Sequence, residues 1–196
     1  MIAVAALLGY VLGSVPSAQL LARTRGVDLR AEGSGNPGTA NALRTSGPLI
    51  AAAVLAVEAA KGYAAIHGGD WIAAETGAVA AGLGAVAGNV YNLWYRFRGG
   101  KGLGISLGVL AGLWPAVLLP VISVIVIGIF VSRSSGIASL AAIAALIVLS
   151  FVRPPIQLGS GVIESTELYP VVAIGIGLMI GWKHWKDVPL RSPVRR

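Results

Sequence analysis

Residues 103–131 read LGISLGVLAGLWPAVLLPVISVIVIGIFV, a run without a single charge. A membrane-spanning helix needs about 20 mostly apolar residues, so the run is long for one upright span and short for two. It contains Pro115 and Pro120. Proline has no N–H to donate and its ring clashes with the preceding turn, so it breaks or kinks a helix. Length alone leaves two readings open, one tilted span or two short spans joined by a tight turn. The choice decides on which side of a membrane everything downstream lies.

Outward from this run, further apolar candidates cover 2–22, 48–67, 71–93, 135–152 and 166–182. The chain of 196 residues is 56% apolar and only 12% charged, with a mean hydropathy of +0.79. Soluble domains carry about 25% charged residues, so the composition is that of an all-α, polytopic membrane bundle forming one domain over 1–196. Residues 2–22 have no basic residue ahead of the apolar run and no clear small-x-small cleavage site, and are expected to stay as the first helix. There is no cysteine, which excludes disulfides, a thiolate nucleophile and Cys-based metal sites. No His and carboxylate set has metal-ligand spacing, so no metal site is expected, and no cofactor is evident.

Charge resolves the open choice. Arg23, Arg25, Arg30 and Arg44 lie between the first two apolar segments, and Arg96, Arg98 and Lys101 between the third and the long run. Lys183, Lys186, Arg191, Arg195 and Arg196 follow the last segment. Lysine and arginine concentrate on the cytoplasmic side. Splitting 103–131 in two, with a turn in the Pro115–Pro120 region, puts these groups and Arg133 on one side. Arg153 is then outside and Lys61 within a span. About seven transmembrane helices result, N-terminus out and C-terminus in. The pI of 10.3 therefore reflects lipid topology, and no nucleic-acid partner is expected. Trp71, Tyr91, Trp94, Tyr95, Trp182 and Trp185 fall near span ends, where amphipathic rings favour the interface.

Two cytoplasmic loops combine glycine with cations. The first is GSGNPGTANALRTSG at 33–47. Glycine permits close backbone approach, so N–H groups of Gly33, Gly35 and Gly38 could converge on an anion. Ser34, Asn36 and Asn41 add hydrogen-bonding groups, and Arg44 offers a planar fork for phosphate. The second, WYRFRGGKGLG at 94–104, combines Gly99 and Gly100 with Arg96, Arg98 and Lys101 but lacks the spacing of a Walker A loop. A flexible loop with topology-setting arginines would explain one such segment. Two on one face suggest a site for a phosphorylated, membrane-proximal substrate. Glu58 and Lys61 stand three apart on one helix face inside a span, where a structural ion pair is expected.

At these loops the chain resembles the bacterial acyl-phosphate:glycerol-3-phosphate acyltransferases. The resemblance runs through GYVLGSVPSAQLLAR at 9–23, GVDLRAEGSGNPGTANALRTSG at 26–47, VEAAKG at 57–62, RFRGGKG at 96–102 and VSRSS at 131–135. It implies transfer of a fatty acyl group from acyl phosphate to glycerol 3-phosphate, giving lysophosphatidic acid, without acyl-CoA or metal. It also implies a multi-pass protein of the bacterial cytoplasmic (inner) membrane, with an acyl-phosphate-producing enzyme as a possible partner. Residue by residue, it assigns phosphate handling to Ser34, Asn36, Asn41, Arg44 and Lys101. Ser132 and Ser135 match the family's serine-bearing turn, and His184 matches the histidine opening its C-terminal motif. The chain departs from the pattern at Asn89, where the family has histidine, at Thr39–Ala40, and in HWKDVPLRSPVRR at 184–196. A non-catalytic paralogue that binds phospholipid precursors and a small transporter remain the competing classes. Product formation separates the first from an enzyme, and a lack of repeated halves weighs against the second.

Overall fold

The computed structural model describes residues 1–152, 162, 165 and 167–185. Arg153 and everything after Trp185, including Lys186, Asp187, Arg191, Arg195 and Arg196, lie outside the described residues. Among those described the protein is all helix: α1 Ile2–Ser14, α2 Ser17–Arg23, α3 Thr39–Ser46, α4 Pro48–Val90, α5 Leu103–Leu113, α6 Leu118–Ser132, α7 Ser135–Phe151 and α8 Leu168–Trp185. Three stretches, Ile2–Arg23, Pro48–Tyr95 and Pro115–Ser132, are long and apolar enough to cross a membrane. Large apolar side chains face outward, among them Leu7, Leu119, Phe130, Val131 and Leu178. The outward apolar surface suits a hydrocarbon solvent.

The run at 103–131 is broken, as its prolines require. Trp114 leaves helical geometry and Pro115–Val117 form a 3-10 turn. Pro120 sits in the first turn of α6, where its missing N–H leaves no bond unmade. The turn lies at the opposite end of the bundle from the two glycine-rich loops. Trp114 stacks on Tyr169 at the start of α8, ring centroids 4.4 Å apart, whereas Lys183 at the end of α8 reaches the carbonyl of Gly99.

The second and third apolar segments differ from expectation. A break near Gly68–Gly69–Asp70 would separate 48–67 from 71–93, yet helix continues through these residues. The 43-residue α4, about 65 Å if straight, instead folds back at Ala73 and Ala74, whose φ/ψ angles are −154/38° and 50/−150°. The glycines are used for contact. A Cβ on Gly69 would strike the carbonyl oxygen of Gly77 on the returning arm, and the converse holds. The same device packs α1 on that arm, Gly9 against Ala81 and Gly13 against Ala85, and α5 on the first arm, Gly108 against Ala59. Small residues let backbones approach where lipid supplies no hydrophobic drive for association.

Pro16 separates α1 from α2. The residue before a proline is pushed out of the helical region, and Val15 is at φ −55°, ψ 122°. The carbonyls so released are satisfied by side chains from elsewhere. Lys61 Nζ donates to Val15 O at 2.8 Å, and Asn92 Nδ2 donates to Ser14 O at 2.8 Å.

Candidate functional site: two glycine-rich loops joined at a buried carboxylate

The first loop folds around one side chain. Asn41, in the first turn of α3 and 1% exposed, accepts from the amide of Ser34 at 2.8 Å through Oδ1. Its Nδ2 donates to Leu29 O at 2.9 Å and Glu32 O at 3.0 Å. Gly33 is at φ +60°, and a Cβ there would overlap the Asn41 carboxamide. Gln19 Oε1 accepts from the amide of Leu29. Leu29 itself is buried with Ala18, Ala22, Ala42 and Val54 in a small satellite core. Of the amides expected to converge on an anion, those of Gly35 and Gly38 are engaged inside the loop, as is that of Ser34. Ser34 N bonds Asn41, Gly35 N donates to Glu32 O, and Gly38 N donates to Asn36 O. Anion binding here would therefore draw mainly on side chains: Ser34, half-buried Asn36, and Arg44, exposed in the last turn of α3.

The second loop is held by the bundle. Gly99 N and Gly100 N donate to Val90 O and Asn89 O at 3.1 and 3.0 Å, so the glycines run back along the end of α4. A Cβ on Gly99 would collide with the Asn89 carbonyl oxygen. Lys183 Nζ, from α8, donates to Val90 O at 3.2 Å and Gly99 O at 3.1 Å. Asn92 caps the 3-10 turn Leu93–Tyr95 by accepting from Trp94 N at 3.0 Å. Arg96 and Phe97 follow in left-handed geometry, φ 52° and 63°. Lys101 is half-buried immediately before Gly102, which opens α5.

The loops meet at Glu58. This buried carboxylate accepts from Ser17 Oγ at 2.5 Å and Lys61 Nζ at 3.0 Å on Oε1, and from Asn89 Nδ2 at 2.7 Å on Oε2. Lys61 also donates to Ser17 Oγ at 3.0 Å. The expected Glu58–Lys61 ion pair is present, as the core of a larger network joining the Pro16 break, both arms of α4 and, through Asn89, the second loop. A narrow cleft beside it is lined by Pro37 of the first loop, Gly100 of the second, and Asn89, Asn92 and Tyr95. Ser17, Asn89, Asn92 and Lys183 thus matter to the site although no motif in the sequence gives them a role in it. The spacing of Asn89 and Asn92, three apart at a helix end, was the available signal.

The remaining expected residues sit as follows. Ser132 Oγ donates to Gly128 O at 2.6 Å and accepts from Ser134 N at 3.2 Å, building the turn between α6 and α7. Ser135 begins α7. Gly177 packs on Ile143 and Gly181 on Leu140, so α7 and α8 run antiparallel. The start of α7 therefore lies beside buried His184, at the same end of the bundle as the second loop.

Residues 3–189 match the family described as glycerol-3-phosphate acyltransferase. The chain is 33% identical over 183 residues to a glycerol-3-phosphate acyltransferase of Symbiobacterium thermophilum, covering 93% of this chain and 87% of that one. It is 36% identical over 173 residues to one of Bradyrhizobium diazoefficiens, covering 87% and 83%. Its fold is similar to crystal structures of PlsY, an integral membrane glycerol 3-phosphate acyltransferase. The glycerol 3-phosphate form superposes with a TM-score of 0.79 at 28% identity, covering 95% of this chain and 90% of that one. The lysophosphatidic acid form superposes with a TM-score of 0.78 at 27% identity, covering 95% and 89%. The chain belongs to the glycerol-3-phosphate acyltransferase family.

Proposed function

We propose that this protein transfers a fatty acyl group from acyl phosphate to glycerol 3-phosphate, releasing lysophosphatidic acid and inorganic phosphate. The observation that carries the reading is the meeting of the two glycine-rich loops, Pro37 beside Gly100, over the Glu58 network in a chain of this family. Both substrates carry phosphate, and each loop brings a cation, Arg44 or Lys101. Acyl phosphate is already activated, so positioning and charge stabilisation are the main tasks. The acceptor hydroxyl oxygen attacks the acyl carbon, the carbon–oxygen bond to phosphate breaks, and phosphate departs with the bonding pair. A substrate phosphate oxygen takes the hydroxyl proton. Arg44 and Lys101 hold the phosphates and neutralise the developing charge, with Ser34 and Asn36 orienting them. Glu58 acts through its neighbours: its oxygens are occupied by Ser17, Lys61 and Asn89, so it positions the second loop.

The whole chain works as one membrane domain of seven spans, loops and C-terminus facing the cytoplasm of a bacterial inner membrane. There it could receive acyl phosphate from the enzyme that makes it. Purified protein given acyl phosphate and glycerol 3-phosphate should form lysophosphatidic acid and phosphate in equal amounts, without acyl-CoA or added metal. Retained substrate binding without product would favour the non-catalytic paralogue.

A further inference from the structure

The arginines of the two loops do not all serve one place. Arg30, Arg96 and Arg98 line a separate cavity of about 410 Å³ with Trp94 and Tyr95. None of Ser34, Asn36, Arg44 or Lys101 lines it. None of the three arginines is ion-paired to a carboxylate among the described residues. Arg30 lies over the Tyr95 ring, 4.5 Å from its centroid, which fixes one guanidinium at the wall. Tyr95 also lines the narrow cleft beside Glu58, so the two cavities share this residue.

The arrangement is built with strain. Arg96 and Phe97 are consecutive non-glycine residues in left-handed geometry, a conformation that side chains disfavour. It persists because Phe97 N donates to Asn92 O at 2.9 Å and Arg98 N to Tyr95 O at 3.0 Å. Its result is to set Arg96 and Arg98 in one cavity while Phe97 is 59% exposed between them. Leu93 and Trp94 are exposed as well. Three guanidiniums bordered by an exposed leucine, tryptophan and phenylalanine match a ligand with an anionic head and apolar tails. Arginine forks suit phosphate oxygens, and indole rings favour the headgroup level of a bilayer.

We infer that this cavity binds the phosphomonoester headgroup of an anionic membrane lipid, at a site separate from the one that carries out acyl transfer. Binding there requires no turnover, so its test is independent of the acyltransferase assay. Protein in a neutral detergent is titrated with dioleoyl phosphatidic acid, dioleoyl phosphatidylcholine or free glycerol 3-phosphate, and retained molecules are counted by native mass spectrometry. Wild type should hold one phosphatidic acid at concentrations where phosphatidylcholine is lost. Arg30→Gln/Arg96→Gln/Arg98→Gln should weaken that binding about 100-fold, and each single change about 5-fold. If the triple variant does not fold, Arg96→Gln and Arg98→Gln alone decide the matter. Equal retention of both lipids, or unchanged phosphatidic acid binding in the variants, would overturn the inference. So would displacement of phosphatidic acid by glycerol 3-phosphate at comparable concentration, which would assign the pocket to a water-soluble phosphate.

Discussion

The two glycine-rich loops look alike in composition and are built in opposite ways. The first closes on itself: Asn41 ties residues 29, 32 and 34 to the start of α3, over separations of at most 12 positions. The second closes on itself over residues 92–98, ahead of its glycines, which are held from outside. Its glycines rest on the end of α4, and Lys183 holds it from 84 residues away. A locally closed loop can form as soon as its segment does, whereas a loop held by the bundle needs the helices packed first. The first is therefore expected to tolerate backbone change, and the second to transmit it straight to Lys101.

The sharpest break of this contrast is a pair of single methyl groups. At Gly99 a Cβ would meet the Asn89 carbonyl, with Asn92 Cβ at 2.7 Å behind it. Gly99→Ala must displace the backbone two residues before Lys101. A misplacement of about 1 Å can lower activity about 100-fold, and a loss of that size in kcat/KM is expected. Gly35→Ala meets only Arg30 O, at 3.3 Å. Its φ of +69° makes alanine cost about 1–2 kcal/mol, so a lower Tm with most activity retained is expected. Equal losses in the two variants would show that both loops depend alike on the bundle.

Lys101→Ala and Arg44→Ala compare the loops by charge. Each should remove a charge-assisted phosphate contact worth about 1.5–3 kcal/mol, about 10- to 150-fold in kcat/KM, with the fold intact. Arg44→Lys keeps charge without the two-pronged geometry and should recover part of the activity. Turnover near wild type in correctly inserted protein would reduce both residues to topology signals.

The same contrast explains what could be read in advance. The helical segments, the break at Pro115 and the Glu58–Lys61 pair follow from local rules about length, proline and intramembrane charge. The position of the α4 reversal does not. Gly68–Gly69 reads as a turn in isolation, and only the returning arm, with Gly77 against Gly69, turns that glycine into a packing surface. Asn41 stands out in the sequence, but its inward orientation depends on carbonyls of Leu29 and Glu32 that a linear reading treats as background. Asn89 carries a signal in its spacing from Asn92, but its partner Glu58 is 31 positions away, and Lys183 acts through partners 84 and 93 positions away, beyond any motif or spacing.

The smallest expected effect tests the longest of these connections. Lys183 Nζ joins α8 to the end of α4 through Val90 O and to the second loop through Gly99 O, and it is half-buried, so solvent screening reduces the value of those bonds. Lys183→Met keeps the apolar stem and removes the donors. The loop remains seated by its amides on Val90 and Asn89, so it should loosen without detaching. About a 3- to 10-fold loss in kcat/KM is expected, from hydrogen bonds worth about 0.5–1.5 kcal/mol each, with Tm little changed. Lys183→Arg should restore much of it, because a guanidinium can reach the same carbonyls. No loss in Lys183→Met would mean that α8 merely packs beside the loop. A loss matching Lys101→Ala would mean that Lys183 touches the substrate itself, and that the second loop's cation is shared between two helices.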